Sequence, residues 1–320
     1  MTGPRERIRI GTRGSALARW QAEHVASALR ALPAGPDADL VLIQTEGDKI
    51  QDVPLSGVQG KAFFTKEIEE ALLGGDVDVA VHSLKDLATV LPEGLELGAI
   101  MEREDARDVL LCSSSVAPTG SLSSLNDLPE GARVGTSSLR RRALLARGRP
   151  DLDIGDLRGN VPTRVRKLDE GQYDAVVLAA AGVKRLGLEH RISFYLPLDE
   201  FLPAVSQGAV AVQTRSGDAP VSRWVGALDH SKTRATTTAE RAFLRTLEGG
   251  CQIPVGAIGR VEERGLRLRG TICSLDGTRA VYGEVTGRLE DAEFLGQSLA
   301  QDLEARGGRS ILDEIKGVGS

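Results

Sequence analysis

Apolar residues recur along this chain with two different periods, and the places where the period changes outline its fold. RIRIG at 7–11 alternates polar and apolar residues as a strand does. Residues 15–32 repeat apolar positions every three to four residues, an amphipathic helix that Pro33 closes. DLVLIQT predicts a second strand, DVDVAVHS a third and LELGAIM a fourth. Before the third, Thr65 is placed to cap a helix reaching Leu73, with Glu67 and Glu69 in its first turns. From Asp105 the strands DVLLC, ARVGT, LDIGDL and YDAVVLAA alternate with helices at 138–147 and 161–169. Alternation of this kind gives mainly parallel sheets covered by helices. AVAVQT then reads as a short buried strand that returns to the first sheet. Past Ala219 the style changes to two helices, a loop, three consecutive strands (IPVGAIGRVE, LRLRGTICS, AVYGEVTG) and terminal helices. The predicted fold class is α/β, with two lobes built on mainly parallel mixed sheets and a C-terminal α+β domain. Lobe 1 takes 1–103 and 200–218, lobe 2 takes 104–199, and the last domain takes 219–320. Two crossings between lobes are the topology of a hinged cleft.

Composition narrows the classes. A chain of 320 residues is long for one core, which agrees with two or three domains. Aromatic residues make up 3%, leaving few platforms for stacking single-stranded nucleic acid, and a formal net charge of −5 gives no general pull on polyanions. No window approaches the ~20 apolar residues of a membrane span. MTGPRERIRIGTR has no apolar signal core, so a soluble cytoplasmic protein is expected. Three cysteines do not make a disulfide framework, and no Cys/His cluster has metal spacing. Cys112 and Cys273 fall in apolar strand patterns and read as buried and inert.

The chemistry gathers in a loop cysteine and in arginines. LEGGCQIPVG sets Cys251 between glycines that leave its sulfur uncrowded and a proline that stops the helix. Thiolates presented near positive charge serve as nucleophiles and attachment points. The chain has 32 arginines against 8 lysines, many at predicted strand-to-helix junctions. In GTRGSALARWQ, Gly11 and Gly14 permit a tight turn, Ser15 can cap the helix, and Arg13 projects at the strand's carboxyl end. Open α/β sheets bind ligands there, and helix N-termini favour anions. GTSSLRRR repeats the arrangement with Thr136, Ser137 and Ser138 ahead of Arg140, Arg141 and Arg142. Consecutive helical residues point ~100° apart, so those three arginines cannot all face one site.

Arg158 and Arg164 follow the next strand and Arg185 the one after. Four strand ends thus deliver arginine toward one expected cleft, which suits a ligand with several carboxylates. Phosphate is the competing anion, but no P-loop is present. Lys85 and Asp86 stand side by side at the end of the third strand, where a fixed carboxylate could stabilise a developing cation or pass a proton. His82 reads as structural.

The motifs GTRGSALARWQ, GKAFFTKE, DVAVHSLKDL, EREDARDVLL, VGTSSLRRR, DLRGNVPTR, LAAAGVKRLGL, LPAVSQGAVAV and LEGGCQIPVG stand in this order along the chain. Together they resemble the porphobilinogen deaminase (hydroxymethylbilane synthase) family over nearly the whole length. The resemblance implies two lobes like those of periplasmic binding proteins and a third domain carrying a cofactor cysteine. It implies a dipyrromethane cofactor joined by a thioether to Cys251, on which four porphobilinogen units are added with loss of ammonia before water releases hydroxymethylbilane. Asp86 resembles the family carboxylate that bonds the pyrrole N–H groups and stabilises the azafulvene cation. By motif position, Lys61, Lys85, Ser138, Arg140, Arg141, Arg158 and Arg164 match cofactor contacts. Arg13, Ser15, Gln21, Phe64, Arg158, Arg164 and Arg185 match the substrate side. The family expectation is a monomer.

This sequence departs from the family at three places. Gly57 stands where many relatives carry a loop lysine, Pro162 replaces a glycine at a helix start, and LATVLP follows Asp86 in place of the commoner VPxxLP. A competing class is a non-enzymatic two-lobed carboxylate-binding protein. It would account for the lobes and arginines but needs neither Cys251 nor a third domain.

Overall fold

The computed structural model describes residues 7–49, 65–116, 122–247 and 253–318. Lys61, Phe64, Cys251 and the loop of Gly57 lie outside the described residues. The chain divides into two compact units, Met1–Glu104 with Gly208–Arg234, and Asp105–Gln207 with Ala235–Ser320.

The first unit contains β1 (Arg7–Thr12), α1 (Ala16–Ala31), β2 (Asp37–Leu42), α2 (Glu46–Lys49), α3 (Lys66–Gly74), β3 (Val79–Ser83) and β4 (Leu95–Ile100). β10 (Val210–Arg215) and α7 (Ala219–Gly226) join it from later in the chain. Its sheet runs β2-β1-β3-β10-β4, with β1 parallel to β2 and β3, and the returning β10 antiparallel to β3 and β4. Side chains alternate between sheet faces, so β3 is gripped on both. Val79 and Val81 join Ala22, Val25, Ala26 and Leu29 of α1, while Ala80 packs with Ile68 and Leu72 of α3. Each fully buried Leu or Ile is worth about 1.5–3 kcal/mol, so β3 is pinned between two helices before the chain reaches Asp86. α7 turns Val221, Trp224 and Val225 into the same cluster as α1. That apolar face places 219–234 in the first unit rather than the last domain, and 200–207 fall in the second unit rather than the first.

The second unit contains β5 (Asp108–Cys112), β6 (Arg133–Gly135), α4 (Leu139–Gly148), β7 (Asp153–Gly155), α5 (Val161–Asp169), β8 (Ala175–Ala179), α6 (Ala180–Arg185) and β9 (Phe194–Tyr195). Its sheet runs β7-β6-β8-β5-β9; β6 is parallel to β7 and β8, and β5 is antiparallel to β8 and β9. The two-residue β9 is too short to leave an alternating pattern in the sequence.

α8 (Ser231–Thr246) leads toward β11 (Val255–Glu262), β12 (Gly265–Cys273), β13 (Ala280–Gly287), α9 (Ala292–Leu303) and α10 (Arg309–Val318). These three strands form an antiparallel sheet in the order β11-β12-β13. Phe243 of α8 and Leu295, Leu299 and Leu303 of α9 pack on Leu266, Leu268 and Ile272 of β12. A Cβ at Gly270 would stand 2.7 Å from the Phe243 ring, so glycine lets α8 settle onto the strand. The architecture is the expected α/β class with a C-terminal α+β portion.

Candidate active site

β1 and β3 are parallel neighbours, so the segments that follow them start from the same edge of the sheet. After β1 come Arg13 and Ser15; Ser15 caps α1, its Oγ accepting from Ala18 N at 3.3 Å. Gly14, between them, has an ordinary φ and nothing within 4 Å of a Cβ position, so the turn makes no steric demand for glycine there. After β3, a single helical turn at Leu84–Asp86 leaves Lys85 half-buried and Asp86 exposed. Four of the expected residues, Arg13, Ser15, Gln21 and Asp86, line one cavity of about 70 Å³. Gln21 is buried on α1 and held by β3, its Nε2 donating to Ser83 Oγ at 2.8 Å.

Thr65, His82 and Ser83 line the cavity as well. The sequence reads Thr65 as a helix cap, but its side chain makes no capping bond. Its Oγ1 donates instead to Glu69 Oε2 at 3.2 Å. His82 is buried, with Nε2 3.2 Å from Gln213 Oε1. Burial, reinforced by the nearby Arg13 charge, pushes its pKa down to about 4 against the opposing hydrogen bond, so the ring is neutral near pH 7.

In the second unit, β6, β7 and β8 are parallel neighbours, and the segments that follow them carry the remaining described residues. Ser138 caps α4, its Oγ accepting from Arg141 N at 3.4 Å. Arg140 and Arg141 are buried and both turn onto Asp108 of β5, which is fully buried. Arg140 Nη1 lies 2.7 Å from Asp108 Oδ2, and Arg141 Nη2 lies 2.7 Å from Oδ1. Gln207 Nε2 donates to the same Oδ1 at 2.9 Å, and Arg141 Nη1 donates to Val177 O at 2.9 Å. Burial alone would raise the Asp108 pKa; the two guanidinium groups outweigh it and hold the carboxyl well below the usual carboxylate range. For Arg140, burial is the largest influence and lowers its pKa. One carboxylate against two guanidinium groups leaves one positive charge in surplus at a buried place. Arg142 points elsewhere, as helical spacing requires, and pairs at the surface with Asp156 at 3.3 Å.

Arg158 follows β7, and Arg164 of α5 donates from Nε to Gly159 O at 2.7 Å. Pro162 sits in the first turn of α5, where a missing N–H is harmless. Arg185 ends α6. Arg140 Nε and Arg158 Nη1 are buried with no hydrogen-bond partner among the described residues. Sequence reasoning missed Asp108 and Gln207. The available signal was an acidic residue opening the otherwise apolar DVLLC. Cys112 and Cys273 are buried free thiols, and burial pushes Cys112 up to about 11, so neither is a ready nucleophile. Among the described residues no His/Cys/Asp/Glu group could hold a metal, and no helix is long and apolar enough to cross a membrane.

Residues 8–223 match the family model "Porphobilinogen deaminase, dipyromethane cofactor binding domain", and residues 235–305 match "Porphobilinogen deaminase, C-terminal domain". The chain belongs to the porphobilinogen deaminase family. The porphobilinogen deaminase of Geobacter sulfurreducens is 50% identical over 97% of this chain and 95% of its own. That of Moorella thermoacetica is 50% identical over 97% and 96%, and that of Pelobacter propionicus 47% identical over 98% of each. Among solved structures, the methionine-binding protein MetQ is similar with a TM-score of 0.43 and 15% identity, over 69% of this chain and 89% of that one. The match to the C-terminal domain begins at residue 235, where the chain leaves the first unit for the last time.

The residues present fit the dipyrromethane of porphobilinogen deaminases. A group bearing carboxylates answers both the surplus charge of the Arg140–Arg141–Asp108 cluster and the orphaned Arg158 Nη1.

Proposed function

We infer that the protein is a working hydroxymethylbilane synthase of tetrapyrrole and haem biosynthesis. It joins four porphobilinogen molecules head to tail with release of ammonia, then frees linear hydroxymethylbilane by hydrolysis. The observation that carries this is the cavity shared by Asp86 and Arg13 at the ends of β3 and β1. Porphobilinogen bears an acetate and a propionate, and loss of its amino group leaves positive charge shared with the pyrrole nitrogen. Asp86 accepts the pyrrole N–H and stabilises that charge, while Arg13 and the N-terminus of α1 at Ser15 hold a substrate carboxylate. Gln21 and Phe64 shape the substrate side, and Arg158, Arg164 and Arg185 take further carboxylates.

Dipyrromethane, thioether-linked to Cys251, supplies the pyrrole end on which the chain grows and stays with the enzyme. Ser138, Arg140, Arg141, Arg158, Arg164, Lys85 and Lys61 hold its carboxylates. Asp108 fixes the direction of Arg140 and Arg141, so that their surplus charge meets those carboxylates without rearrangement. The enzyme acts as a cytoplasmic monomer on a small molecule, with no nucleic-acid or membrane partner. Incubation with porphobilinogen tests this. Four ammonia molecules should appear for each hydroxymethylbilane, the latter seen as uroporphyrin after acid and oxidation; porphobilinogen retained without ammonia release would contradict it.

A further inference from the structure

Behind the cavity wall lies a chain of buried polar side chains that meets the cavity only at Thr65 and His82. Thr65, Glu69, His82 and Gln213 are all 5% exposed or less. Gln213 Nε2 donates to Glu69 Oε1 at 2.9 Å, Thr65 Oγ1 donates to Glu69 Oε2 at 3.2 Å, and Gln213 Oε1 lies 3.2 Å from His82 Nε2. The β3–β10 register sets Gln213 opposite Ala80, which makes it the diagonal neighbour of His82 on one face of the sheet. α3 lies on that face, with Ile68 and Leu72 against Ala80, and so brings Glu69 over the pair.

What each group can do fixes the direction of the chain. A carboxylate only accepts. Gln213 therefore turns its NH₂ to Glu69 and its carbonyl oxygen to His82, which must donate from Nε2 and keep its lone pair on Nδ1. Thr65 supports the same end. It directs its hydroxyl to the second oxygen of Glu69, although its type and position suit a helix cap, and such a departure from a local rule marks functional ground.

We propose that Glu69, acting through Gln213, is a positioning residue for the reaction, holding His82 as its Nε2–H tautomer at the wall of the Asp86 cavity. This rests on that cavity being where the pyrrole is held. A cationic imidazole there would compete with the substrate's developing charge for Asp86, and the tautomer decides which ring nitrogen donates and which accepts. The tautomer-fixing device is the same in kind as the partner that orients a catalytic histidine, here placed one amide further away.

Nitrogen NMR of ¹⁵N-histidine-labelled enzyme at pH 7, with His82→Gln supplying the assignment, reads the tautomer directly. The native enzyme should show His82 protonated on Nε2 and unprotonated on Nδ1. In Glu69→Gln the new amide can donate, so Gln213 is free to turn over. His82 should become a mixture of tautomers, and kcat should fall between about ten- and a hundredfold with KM little changed. Gln213→Leu removes the acceptor outright and should shift the same resonances, which keeps the test open if Glu69→Gln folds poorly. The proposal is overturned if native His82 carries its proton on Nδ1 or on both nitrogens. It is equally overturned if Glu69→Gln keeps the native tautomer, whether or not kcat falls. Failure of the underlying reading looks different: Asp86→Ala would turn over normally while the His82 spectrum stayed as expected.

Discussion

The carboxyl ends of β1 and β6 begin from one local pattern, a parallel strand followed by a capping serine and an arginine. They hold charge differently. At the first, Arg13 and the exposed Asp86 share a cavity, and the side chains behind it are a neutral histidine and groups bonded to one another. At the second, Arg140 and Arg141 are withdrawn from solvent and share the buried Asp108. An arginine count therefore overstates what is ready for a ligand. Buried guanidinium groups need an internal counter-charge to be tolerated at all, and only the surplus faces an anion.

Substitutions can break this contrast. The largest effect should come from Asp86→Ala, with kcat down about a thousandfold, as for loss of one group aimed at transition-state charge. Its melting temperature should be unchanged, because Asp86 is exposed. Asp108→Asn should do the reverse, costing about 3–5 kcal/mol of stability by leaving two buried cations uncompensated. Urea titration reads this, and an unchanged midpoint would show that the arginines do not depend on Asp108.

The smallest effect is in pH dependence. His82 titrates at about 4 in the folded protein against an ordinary 6.5, so between those values the unfolded chain binds more protons. Stability should fall by about 3 kcal/mol as pH drops from 6.5 to 4. Asp108 has the opposite origin but the same sign: its folded pKa is depressed, so its contribution is full above the ordinary carboxylate range and is lost only at lower pH. His82→Gln should flatten the upper window alone. Equal slopes in the two proteins would place the titration elsewhere.

Much of this was legible in the sequence because periodicity and strand-end chemistry are local. The helix expected at 161–169 is α5 residue for residue, and Ser15 and Ser138 cap the helices they were expected to cap. Partnerships between distant residues were not legible. Nothing near Arg140 in the chain announces Asp108, 32 positions earlier, and nothing near His82 announces Gln213. Thr65 has the composition of a cap, yet its hydroxyl serves Glu69 because both are buried under the same sheet. The packing of α7 against the α1 cluster was not legible either, because a change in chain style marks a new kind of element, not the surface on which that element packs.

The mass of the intact protein tests the central claim most directly. Freshly purified native enzyme should be heavier than its sequence by two linked pyrrole units, and Cys251→Ser should weigh what its sequence predicts. Native protein at the bare sequence mass, even after incubation with porphobilinogen, would contradict the account.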